Sequence, residues 1–84
     1  MKGGAFDFVY YYVDLFVEEL SEKNQHNIYN FDKDTLKVLT EVEKIAKLTS
    51  EIMKNTELLY SLNISEMEFR ENIEQSIKYL KKIK

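Results

Sequence analysis

Eighty-four residues with no Cys, one His and a formal charge of −3 from 12 basic and 15 acidic side chains leave room for a single domain over 1–84. They exclude a disulfide framework and a zinc site built on one histidine. The mildly acidic balance disfavours nucleic-acid binding, which rests on clustered Lys and Arg. The apolar run near the start is broken by Asp7 and Asp14, so neither a secretory leader nor a membrane span is expected. A chain free of Cys fits a reducing compartment, and the expected location is the cytoplasm.

With no Pro and only Gly3 and Gly4 as glycines, nothing inside the chain interrupts helices, and tight hairpin turns lack their usual residues. The pattern predicts an all-α fold, a three-helix bundle. Helix 1 is expected over about 5–23, starting near Ala5. The Asn-rich segment 24–31 breaks the helical period and reads as a loop, with Ile28, Tyr29 and Phe31 folding back onto the core.

Helix 2 is expected over about 33–62, capped by Asp32 or Asp34. Thr35, Val42, Thr49 and Thr56 recur every seven residues, and so do Val38, Ile45, Ile52 and Leu59. Leu39, Ala46, Met53 and Tyr60 flank them, making a stripe wide enough to face a bundle core. Asn55-Thr56 is the expected place for any kink. Asn63 suits the left-handed residue that ends a helix. Ser65-Glu66-Met67-Glu68 is a capping box in which serine hydroxyl and glutamate carboxylate serve each other's free amides. Helix 3 follows over about 66–82, with Phe69, Ile73, Ile77, Leu80 and Ile83 as its apolar stripe. Its acids lie early and its lysines late, as the helix dipole favours. Helices 2 and 3 are therefore expected to form an antiparallel hairpin with helix 1 across it.

Helix 1 is the unusual element. On a helical wheel its apolar residues span roughly 220°, about twice what a helix needs to cover one face of a small core. Phe6, Phe8, Tyr10, Tyr11, Tyr12 and Phe16 are six aromatics within eleven positions. The three consecutive tyrosines point about 100° apart and cannot all enter one core. One reading makes helix 1 the central, most buried helix. The other packs one side on helices 2 and 3 and the other side on a second chain. The second is preferred, because two amphipathic helices give little cover to so wide a face and tyrosine suits interfaces.

The expected function is a non-enzymatic protein-interaction module, such as an assembly factor, regulator or inhibitor. The expected partner is another protein chain, with a homodimer the commonest outcome for small proteins. The contact residues expected are Phe8, Tyr10, Tyr12, Val13 and Phe16, since large aromatics tend to carry interface energy. No cofactor, metal or catalytic residue is expected. Asp7, Asp14 and Glu18 share a helix face and read as a solvated stripe. His26 has no nucleophile or second ligand placed beside it. An alternative reading is a small nucleic-acid-associated regulator using Lys78, Lys81, Lys82 and Lys84, a cluster that the helix dipole also explains.

Overall fold

The computed structural model describes residues 6–82. Ala5, Ile83 and Lys84 lie outside the described residues. The chain is an all-α three-helix bundle of α1 (Tyr10–His26), α2 (Lys33–Tyr60) and α3 (Glu66–Lys82). α2 runs unbroken through Asn55 and packs on both neighbours, whereas α1 and α3 make no contact with each other among the described residues. The long middle helix, and not the aromatic first helix, is thus the centre of the fold. The three helices form a slab of 45 × 33 × 15 Å.

The helix boundaries follow from their caps. Asp32, in extended backbone, accepts from the Thr35 amide at 2.8 Å. This bond holds its carboxyl below the usual carboxylate range. The capping box forms as expected: the Glu68 amide donates to Ser65 Oγ and the Ser65 amide to Glu68 Oε1, each at 3.1 Å.

Three boundaries depart from the sequence pattern. α1 begins at Tyr10 instead of near Ala5, because Asp7 and Phe8 take left-handed φ of 56° and 54°, which no right-handed helix can include. α1 ends at His26 instead of Lys23, because tertiary bonds keep Asn24 helical: its Nδ2 donates to Leu39 O at 3.4 Å and Glu43 Oε1 at 3.2 Å. α2 ends at Tyr60, and Leu62, not Asn63, takes the left-handed turn (φ 62°). The Asn63 amide reaches Leu58 O at 2.8 Å and the Leu62 amide Leu59 O at 3.0 Å, the paired bonds of a Schellman ending.

The loop between α1 and α2 does not fold onto a core as the sequence suggested. Ile28 and Tyr29 remain 75% and 74% exposed, and Phe31 is also exposed. Asn27 closes the loop with polar bonds instead: its Oδ1 accepts from the Phe31 amide at 2.9 Å and its Nδ2 donates to Phe31 O at 3.2 Å. Asn27 and Asn30 supply left-handed φ of 45° and 58°, which asparagine tolerates. The rings of Tyr29 and Phe31 stack on each other.

Candidate protein-binding face

Two seams join the layer, and polar pairs set their register. Between α1 and α2, Ser50 Oγ donates to Asp14 and Asn24 reaches Glu43. Between α2 and α3, Asn72 Nδ2 donates to Asn55 Oδ1 at 2.8 Å and Tyr79 Oη to Glu41 Oε2 at 2.7 Å. The hydrogen bond to Glu41 raises the Tyr79 pKa above its ordinary value by holding the phenol proton, and desolvation and the charge of Glu41 act in the same direction. Lys44 Nζ lies 4.4 Å from the centre of the Tyr79 ring. Asp14 is therefore a seam residue, half-buried against Ser50. The single solvated stripe of Asp7, Asp14 and Glu18 is broken at its middle.

The most deeply placed side chain is Glu57, 1% exposed. Its Oε2 accepts from the Phe6 amide and its Oε1 from the Phe8 amide, each at 3.1 Å. The residue before α1, Val9, makes no side-chain cap bond, so a carboxylate from α2 serves the start of α1 from across the seam. The left-handed turn at Asp7 and Phe8 points both amides at one carboxylate. Phe6 then meets the Tyr60 ring edge-on at 5.3 Å. No local pattern identifies Glu57; its one sequence signal is a charge in the heptad column of Leu36, Glu43 and Ser50, next to the apolar stripe.

The two faces of the slab differ in chemistry. One groove along the α1–α2 seam is lined by Asp14, Glu18, Glu43, Lys47, Ser50 and Glu51, with Val17 and Ser21. Among the described residues no group of three or more His, Cys, Asp or Glu side chains is arranged to hold a metal ion. On the opposite face, Phe6, Val9, Tyr10, Ile52, Met53, Thr56 and Glu57 line an open recess of about 220 Å³. Helical periodicity continues that face along α2 through Val38, Val42, Ile45, Ala46, Thr49 and Leu59, with no charged residue on the stripe. On α3, Asn72 pairs with Asn55 and Tyr79 with Glu41, and helical periodicity puts Ile73, Ile77 and Leu80 on a different side of the helix from these two.

No apolar residue is buried among the described residues; the four buried ones are Ser50, Asn55, Glu57 and Ser76. The expected contact residues divide accordingly. Tyr10 lines the recess, and Val13 is half-buried one helical turn further on. Tyr12 and Phe16 are 70% and 52% exposed, and Phe8 is exposed with its ring edge-on to Tyr10. The apolar stripes of α2 and α3 are legible in the sequence, but that they stay half-buried or exposed is not, because a stripe that covers a core and a stripe that awaits one are spelled alike. In the lysine cluster, Lys78 Nζ pairs with Glu74 Oε2 at 3.1 Å, while Lys81 and Lys82 occupy the last turn of α3.

No family model, curated protein or solved structure matches this chain. No helix of the described residues is long and apolar enough to cross a membrane.

Proposed function

We propose that the protein is a non-enzymatic protein-interaction module that binds through its aromatic first helix and self-associates. One observation carries the reading: no apolar side chain is buried among the described residues, while Tyr12 and Phe16 stand mostly in solvent. An exposed apolar surface of this breadth favours association. Large aromatics on a rigid helix offer contact area at small entropic cost, which suits Tyr12 and Phe16 as anchors, with Tyr10, Val13 and, in the turn before α1, Phe8 shaping the surface beside them. In the alternative lysine-based reading, Lys78 is engaged by Glu74 and no aromatic platform for bases accompanies the cluster.

The test is light scattering over a concentration series, with apolar-dye binding, on wild type and on Tyr12→Ser/Phe16→Ser. Association by wild type that the double substitution weakens supports the reading. A folded monomer at every concentration that binds no dye has closed its own apolar surface, and would overturn it. Affinity for duplex DNA that falls steeply with salt would move the reading to the lysines.

A further inference from the structure

The self-association just proposed concerns the first helix; the whole slab points to a specific partner and a larger surface. We infer that two copies of this chain close face to face through the apolar side of the layer, with α2 against α2 at the centre, and that folding is coupled to this pairing. The inference rests on the interaction reading and adds to it the partner and the contact surface.

A compact domain of this length has a radius of gyration of about 12 Å, whereas this chain has 15.2 Å. A compact monomer of 10.1 kDa exposes about 5,300 Å², whereas this one exposes 6712 Å². The excess is on the order of 1,400 Å², about the area of one broad face of the 45 × 33 Å slab. Covering that face on two copies buries roughly 2,000–3,000 Å² in total, within the range of obligate dimers.

Burial of apolar surface is the main favourable term in folding, and among the described residues this layer buries no apolar side chain fully. Half-buried Ile45, Ile52, Met53, Ile73 and Ile77 reach the interior only when something covers them. A partner on which folding itself depends must be present whenever the chain is made, and a second copy always is.

A two-fold contact sets a surface against itself, so any charge at its centre would face its own kind. The stripe of α2 from Val38 to Leu59 carries none, and Glu57, which lines the recess beside it, is buried and accepts from the Phe6 and Phe8 amides. Ala46 and Thr49, short side chains near the middle of α2, allow two such helices to cross closely. Lys47, Glu51 and Lys54 fall on other sides of the helix, away from the stripe.

The experiment measures molecular mass by light scattering, and urea unfolding midpoints at several protein concentrations. The proteins are wild type, Thr49→Lys on the apolar stripe and Lys47→Glu off it. The expected result is a wild-type dimer whose midpoint rises with concentration, as mass action requires. Lys47→Glu stays dimeric, while Thr49→Lys raises Kd by about a hundredfold or more and loses helix as it dissociates. The wild-type concentration dependence needs no substitution, so an unfolded variant does not spoil the test. A wild-type dimer that survives Thr49→Lys but dissociates on Tyr12→Ser/Phe16→Ser overturns this inference and leaves the interaction reading standing. A folded monomer with a concentration-independent midpoint also overturns it; apolar-dye binding then separates a helix 1 still open to another protein from a surface closed on itself, which ends both.

Discussion

The two faces of the slab are built from the same three helices and differ in how their groups are satisfied. On the polar side, Asp14 meets Ser50, Asn24 meets Glu43, and Glu41 meets Tyr79, so each seam is closed by bonds within the chain. On the apolar side, Val9, Tyr12, Phe16, Val38 and Val42 remain exposed. Hydrogen bonds are directional and saturable, so a polar pair is complete with two members. Apolar burial is neither, and needs a covering surface. Polar pairs thus span the seams between the helices, while the apolar side chains of the other face stay exposed or half-buried.

The largest effect that would sharpen this contrast is a charge placed on the open face. Ile52→Lys is expected to cost about 2 kcal/mol or more of assembly per copy, read as a lowered and less concentration-dependent unfolding midpoint. An equal loss from Lys54→Glu, off the stripe, would break the distinction between the faces. Next comes Glu57→Ala, which leaves the Phe6 and Phe8 amides without their acceptor and is expected to cost about 2–3 kcal/mol. Faster hydrogen exchange at residues 6–12 than at the end of α1 would locate the damage. Unchanged exchange there would mean that the carboxylate does not hold the turn.

Asn55→Ala removes the bond from Asn72 and the one it donates to Glu51 O, at an expected cost of about 1–2 kcal/mol in urea unfolding. Leu62→Gly works in the opposite direction. Relieving a left-handed leucine is expected to stabilise by about 0.5–1 kcal/mol, and a destabilised variant would mean that the Leu62 side chain is covered in the assembly.

The smallest expected effect is that of the Asp32 cap. Its carboxyl titrates below the ordinary 3.8, so its contribution is present above that pH and is lost as pH falls through the lower folded value. Asp32→Asn caps without titrating, and the difference in helicity between the two proteins should grow only below about pH 4. A constant difference across the range would show that the charge is not what caps α2.

Periodicity and cap chemistry were enough for three helices, for a start of α2 near 33 with Asp32 or Asp34 as its cap, of which Asp32 is the one that forms, and for α3 from its capping box to Lys82. These are local matters: a cap uses groups three residues apart, and a heptad stripe repeats within one helix. The excess of apolar surface on helix 1 was legible for the same reason. Which helix is central was not. Neither was the left-handed turn at Asp7 and Phe8, the burial of Glu57, or the segregation of polar and apolar faces. Each depends on a partner distant in sequence, such as the carboxylate 51 residues from the Phe6 amide it holds. A stripe specifies that a helix face seeks cover, and only the tertiary arrangement decides whether the chain supplies that cover itself.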